Sequence, residues 1–203
     1  MSQREETIVR LGLNPRLAHM VLFPHRHSDA TPPFHLEIID LWHSEAPRAL
    51  TEAFRGAAKS TLAEEAIAIM ACFRKFKNGI IVGESEDRAK ERLNAIKHEF
   101  ETNEMIEELF GPMVGPTWQE RKIILSNGTV IQAFGRGQSL RGAKHLSARP
   151  DLCFCDDMED DESVATPEAR EKFKQWFMKV LIPALAPKSK LRVAGTPLDP
   201  EAW

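Results

Sequence analysis

The sequence predicts an α/β fold: a three-layer sandwich with a mostly parallel sheet and one inserted β-hairpin. Three observations carry this prediction. Short apolar runs of strand type alternate with longer segments of helical period, the pattern of consecutive βαβ units. The run Leu152-Cys153-Phe154-Cys155 is apolar at every position, as a strand covered on both faces must be. The pair Asn127-Gly128 separates two strand-like runs and is the strongest two-residue hairpin signal.

The bulk numbers fit one domain. The chain has 203 residues, of which 42% are hydrophobic and 28% charged, enough for a proper core. The net charge is −3, so contact with nucleic acid must come from a local patch or from a partner. The cysteines Cys72, Cys153 and Cys155 sit among apolar residues and read as reduced core positions of a cytosolic protein. The start Met1-Ser2-Gln3-Arg4 has no apolar leader, and no run is long enough to span a membrane.

Residues 1–33 read as an N-terminal arm, because Thr31-Pro32-Pro33 and the small polar residues around it favour an extended chain. A short amphipathic stretch (Ile8, Val9, Leu11, Leu17, Met20) precedes the prolines. His25 and His27 read as surface histidines of a loop, since no cysteine or further histidine lies at metal-ligand spacing. The main domain then runs over residues 34–203. Phe34, Ile38, Ile39, Leu41 and Trp42 predict a helix, and residues 49–53 a short strand. Residues 60–76 carry Leu62, Ala66, Ile69, Met70 and Phe73 on one helical face. Asn78-Gly79 reads as a stop, followed by the buried strand Ile80-Ile81-Val82 and a long helix over 86–100. The hairpin strands cover 121–126 and 129–134, and a glycine- and arginine-rich loop, Gly135 to Gly142, follows. After the apolar strand come a helix over 167–181 and a last strand, 191–194, running into Gly195-Thr196-Pro197.

Two segments carry chemistry. Ala53-Phe54-Arg55-Gly56-Ala57-Ala58-Lys59-Ser60-Thr61 is a degenerate phosphate loop, with alanine at both positions where the usual G-x-x-x-x-G-K-[ST] pattern has glycine. Small residues let backbone N–H groups face phosphates, provided that Ala58 does not need a positive φ. Lys59 would neutralise phosphate charge, and Ser60 would ligate Mg²⁺. The helix beginning there would aim its positive end at the anion. The alternative is an alanine-rich helix start capped by Ser60. The second segment is the apolar strand ending in Asp156-Asp157. Ligands of parallel sheets bind at the carboxyl ends of strands. Asp156 would hold the magnesium through water, and Asp157 would orient or deprotonate the attacking water, with Glu159 in reserve. A solvated acidic loop is the plainer account of the run that follows.

Arginines could complete such a site. Arg55 lies inside the loop and could reach a γ-phosphate in cis. Arg141 and Arg136, on the glycine-rich loop, could reach a neighbouring subunit's nucleotide or DNA, although a plain surface loop is the better account of Arg136. Thr196 is placed to sense the γ-phosphate, and a simple strand-to-loop turn is the alternative.

Taken together, these segments resemble the ATPase domain of the large terminase subunit of tailed bacteriophages, from Phe34 onward. The resemblance rests on the phosphate loop, on Asn94-Ala95-Ile96-Lys97 through Leu109-Phe110-Gly111, and on Ile124 to Thr129 with Gly137-Gln138-Ser139-Leu140-Arg141-Gly142. It continues through Arg149-Pro150-Asp151 into Asp156-Asp157, then Trp176-Phe177 and Gly195-Thr196-Pro197. It implies a P-loop NTPase of RecA-like, ASCE type, with Walker A and Walker B motifs. The activity implied is Mg²⁺-dependent ATP hydrolysis that drives double-stranded viral DNA into a procapsid. ATP and Mg²⁺ are the implied cofactors. The implied partners are DNA, the portal protein, the small terminase subunit and further copies of the chain in a ring. The implied place is the cytoplasm of an infected bacterium. Gly195, Thr196 and Pro197 would couple hydrolysis to movement, and Phe34 and His35 would contact adenine. Phe54 stands where many relatives have proline. The family's RNase H-like nuclease domain is not expected in a chain that ends at Trp203, so no nuclease activity is expected either. Two other functions remain open: a helicase-like nucleic-acid translocase, and a nucleotide-binding remnant without turnover.

Overall fold

The computed structural model describes residues 2–27, 29–158 and 166–196. The N-terminal segment is not an extended arm. Ser2 caps helix α1 (Gln3–Leu13) through a capping box with Glu5, and Asn14 caps helix α2 (Pro15–Leu22), with Pro15 in the first turn. A proline at that position lacks only an N–H that no helix would use, so it starts the helix instead of breaking it. Leu11, Ala18, Leu22 and Phe23 lie within the main core.

Helix α3 (Pro33–His43) leads to strand β1 (Arg48–Glu52), the phosphate-loop segment and helix α4 (Lys59–Cys72). Helix α4 is buried on nearly every side, Lys59, Glu64 and Glu65 included. It ends where Arg74 turns left-handed (φ 53°) and the Lys75 N–H donates to Met70 O, a Schellman closure. Asn78-Gly79 therefore does not stop the helix. Both residues belong to strand β2 (Asn78–Gly83), where a Cβ on Gly79 would come within 2.6 Å of the Phe76 ring. Helix α5 (Glu86–Thr102) is capped by Ser85 and is followed by helix α6 (Glu104–Phe110), which the sequence pattern did not reveal.

Strands β3 (Thr117–Trp118), β4 (Lys122–Ile124) and β5 (Val130–Gly135) follow, with β4 and β5 joined around Asn127-Gly128 as predicted. Strand β6 (Leu152–Asp156) carries the acids. Helix α7 (Pro167–Trp176) continues into a π-helical turn, Phe177–Leu181, and the last strand is β7 (Lys190–Gly195).

The seven strands form one sheet in the order β1-β7-β6-β2-β5-β4-β3. The first five are parallel, and the hairpin adds two antiparallel strands at one edge. Successive residues point to opposite faces. Ile81, Leu152 and Phe154 pack with helices α1 to α6, whereas Ile80, Val82, Cys153 and Cys155 pack with Trp176 and Leu181. The result is three layers. The last strand, β7, lies between the phosphate-loop strand β1 and the acid-tipped strand β6. That insertion positions the site. Arg192 in the middle of β7 is fully buried, and its guanidinium donates to Trp42 O (2.7 Å), Ser44 O (2.8 Å) and Ala46 O (2.8 Å), tying the end of α3 to the sheet.

Candidate nucleotide and magnesium site

The site lies at the carboxyl ends of β1, β7, β6 and β2. The loop leaving β1 is held to the sheet by the Ala53 N–H donating to Gly195 O (3.2 Å). It turns at Gly56 (φ +85°) and again at Ala58, which is left-handed (φ 54°, ψ 23°). The sequence-level proviso on Ala58 is therefore not met. The loop does require a positive φ there, and alanine holds it against the steric cost that glycine would avoid. No side chain caps α4, so the first-turn N–H groups have no partner from a capping residue.

Lys59 is only 4% exposed and folds back over its own loop. Its ammonium donates to Ala53 O (3.0 Å), Phe54 O (3.3 Å) and Thr196 Oγ1 (2.9 Å). The Thr196 hydroxyl donates in turn to Asp157 Oδ1 (3.3 Å). Three residues singled out in separate parts of the sequence thus form one chain of contacts, Lys59–Thr196–Asp157. It exists because β7 delivers Thr196 between the lysine and the acid. Asp157 has a positive φ (40°), and its N–H donates to Ala194 O (2.9 Å).

Asp156 ends β6 and is 7% exposed. Burial pushes its carboxyl up from the usual range, and the Ser60 hydroxyl and the Arg92 guanidinium pull it back. Among the described residues its Oδ1 is buried without a hydrogen-bond partner. An orphaned carboxylate oxygen beside a serine hydroxyl fits a divalent cation with oxygen ligands, so Ser60 and Asp156 suit magnesium.

Arg55, Arg88, Arg92, Glu84, Asp156 and Asp157 line a cleft of about 260 Å³ next to the loop. Sequence reasoning missed three of these. Arg92 Nε stands 3.1 Å from Asp156 Oδ2 while its Nη1 is 3.1 Å from Glu64 Oε1. Arg88 pairs with Glu84 (3.3 Å). Glu84 follows β2, whose Gly83 is in register with Asp156. The available signal for Glu84 was an acid directly after an apolar strand, the feature that drew attention to Asp156. On the α4 side, a smaller cavity of about 130 Å³ is lined by Ala58, Thr61, His35, Pro32 and Arg26, among others. His35 Nε2 lies 3.0 Å from Ala57 O, whereas Phe34 packs on the Phe54 ring with centroids 5.8 Å apart.

Other candidates lie apart. Arg141 is exposed and lines a separate groove of about 520 Å³ with Lys144, Arg149, Lys179 and Trp176. Arg136 Nη1 donates to Met158 O (2.8 Å). Glu159 and Pro197 lie outside the described residues. Among the described residues no helix is long and apolar enough to cross a membrane.

No protein-family model matches the chain, and no curated protein matches it. Solved structures do. The large terminase of bacteriophage HK97 matches over 96% of this chain and 38% of its own, with a TM-score of 0.57 and 16% identity. The ATPase domain of the Thermus phage P74-26 large terminase matches over 87% of this chain and 67% of its own, with a TM-score of 0.54 and 16% identity. Dbp5 of S. cerevisiae, bound to Gle1 and IP6, matches over 95% of this chain and 47% of its own, with a TM-score of 0.58 and 12% identity. The chain therefore has the α/β fold of P-loop ATPases, including that of terminase ATPase domains. It spans well under half of the length of the HK97 protein.

Proposed function

We propose that this chain binds ATP with Mg²⁺ and hydrolyses it, as the motor domain of a terminase that packages double-stranded viral DNA. The observation that carries the proposal is the Lys59–Thr196–Asp157 chain beside Ser60 and Asp156. Phosphate neutralisation, a γ-phosphate contact and an acid for the attacking water then lie along one run of contacts, which is what phosphoryl transfer asks of a protein.

In this scheme the loop from Ala53 to Thr61 wraps the β- and γ-phosphates, with Lys59 leaving its own carbonyls to meet them. Ser60 and Asp156 hold the magnesium, which supplies charge neutralisation on the phosphate oxygens. Asp157 orients the water and accepts its proton, with Glu159 in reserve. Arg55 stabilises the charge that develops on the transferring group. His35 borders the cavity that takes the nucleobase, beside Phe34. Thr196, between Gly195 and Pro197, passes the loss of the γ-phosphate to the chain that follows. Among the described residues, the basic groove of Arg141, Lys144, Arg149 and Lys179 has no acidic residue in its wall, and it supports DNA contact in a chain whose net charge is −3. Portal protein, small terminase subunit and a homo-oligomeric ring are the partners proposed with this function, in the cytoplasm of the infected host.

The likeness to Dbp5 favours a second reading, a helicase-like translocase. One experiment separates the two and tests both. Mg²⁺-dependent ATP turnover is measured for wild type, Lys59→Ala and Asp157→Asn, alone and with duplex DNA or single-stranded RNA. Turnover lost in both variants and stimulated by duplex DNA supports the packaging motor. Stimulation by RNA alone supports the translocase. Wild-type turnover no greater than that of the variants, with ATP still bound, leaves a nucleotide-binding remnant.

A further inference from the structure

We propose that His19, His27 and Glu65 form a binding site for a divalent transition-metal ion of the zinc class. The three residues come from α2, the loop after it and the middle of α4, and their donor atoms all lie within 4.8 Å of one another. His19 Nδ1 is 2.7 Å and His27 Nε2 3.0 Å from the same oxygen, Glu65 Oε2. Ligand atoms around a tetrahedral ion with bonds of about 2.0–2.1 Å stand about 3.3 Å apart, so small outward shifts admit the ion. Side-chain exposure is 0% for His19, 1% for Glu65 and 9% for His27.

Two imidazoles and one carboxylate are a zinc-type donor set that leaves a fourth position open. His27 and Glu65 also line the cavity of about 130 Å³ that reaches Ala58 and Thr61, so the open position faces a space large enough for water. The outer partners are in place as well. A ligating histidine needs an acceptor for the proton on its other nitrogen. His19 Nε2 is 3.1 Å from His43 Nε2, and His27 Nδ1 is 3.2 Å from Thr31 Oγ1. Each ring can therefore move its proton outward and turn a bare nitrogen toward Glu65.

Charge points the same way. Glu64, Glu65 and Glu99 are buried together, and the guanidiniums that reach them are Arg26 and Arg92. Three carboxylates face two guanidiniums, with His25 also 3.0 Å from Glu99, and Arg92 is shared with Asp156. Among the described residues Glu65 Oε1 is buried without a hydrogen-bond partner, with Arg26 Nη1 3.9 Å away. A buried carboxylate left short of positive charge is costly, and a divalent ion supplies it. Bound there, the ion would pin the N-terminal helices to the helix that starts at the phosphate loop.

The test needs no nucleotide. Tag-free protein is treated with chelator, dialysed, and titrated with Zn²⁺ by calorimetry and with Co²⁺ by visible absorption. The expected result is one equivalent bound by wild type and by His25→Gln, with affinity at least about tenfold weaker in His27→Gln and Glu65→Gln. Co²⁺ should show the intense visible bands of a tetrahedral site in wild type and lose them in His27→Gln. His27 lies in a loop, so that variant keeps the test valid if Glu65→Gln does not fold. No uptake by wild type, uptake unchanged in His27→Gln, or equal loss in His25→Gln overturns the proposal.

Discussion

Ala58 holds a left-handed conformation (φ 54°) in the loop proposed to bind phosphate, at a position where the usual phosphate-loop pattern has glycine. Steric conflict between Cβ and the following carbonyl costs about 1–2 kcal/mol, and glycine's extra freedom in the unfolded chain takes back about 0.5–1 kcal/mol. Ala58→Gly is therefore expected to raise the stability of the nucleotide-free protein by about 0.5–1 kcal/mol, read as a higher urea midpoint at unchanged m. A second residue-scale question is which acid serves the water. Asp157 touches Thr196, whereas Glu84 is paired with Arg88 and is 36% exposed. Asp157→Asn should lower ATP turnover by about 100-fold with nucleotide affinity kept. Glu84→Gln should cost less than about tenfold. The reverse order of losses would assign the base to Glu84. Asp157 drew attention in the sequence because it follows the apolar run Leu152–Cys155 and Asp156. Arg92 was not, because it sits on the polar side of an ordinary amphipathic helix, and only the fold turns that side toward Asp156.

Among the elements, β7 decides the most. It is the last strand in the described chain, yet it lies between β1 and β6. Its Arg192 spends its donors on carbonyls at the end of α3, where a cation also offsets the negative end of the helix. Arg192→Ala would strip its donors from Trp42 O and Ala46 O and leave Ser44 O to Lys190 Nζ (3.1 Å) alone. The expected loss is about 2–4 kcal/mol of unfolding free energy, measured by chemical denaturation. Strands β1, β2, β5 and β6 and helices α3, α4 and α5 were all legible from apolar period and flanking signals. Helices α1 and α2 were not recognised, because three prolines and a polar loop follow them and their apolar stripes are short. Helix α2 is covered by α3, α4 and α6 and in turn packs with α1, contacts that no local pattern announces. The Asn78-Gly79 pair misled for a similar reason. Out of context it reads as a stop, but the Asn78 side-chain amide donates to Ala143 O (2.8 Å) and Ala148 O (3.2 Å) in the loop between β5 and β6.

For the whole molecule, Arg141 lines a groove that shares no lining residue with the Asp156 cleft, so a nucleotide contact by Arg141 is proposed to be made to another copy. If the working form is a ring, ATP turnover per chain should rise with protein concentration, and Arg141→Ala should abolish the rise while leaving the dilute rate unchanged. A flat profile removes Arg141 from catalysis and leaves it to the basic groove. By itself, the sequence determined the α/β class, the hairpin and the acid-tipped strand, because each depends on residues close together along the chain. Only the tertiary structure decided that Lys59, Thr196 and Asp157 touch, and that His19 and His27 meet Glu65. Those encounters join residues 38 to 137 positions apart. They follow from strand order and helix packing, which nearest-neighbour patterns do not encode.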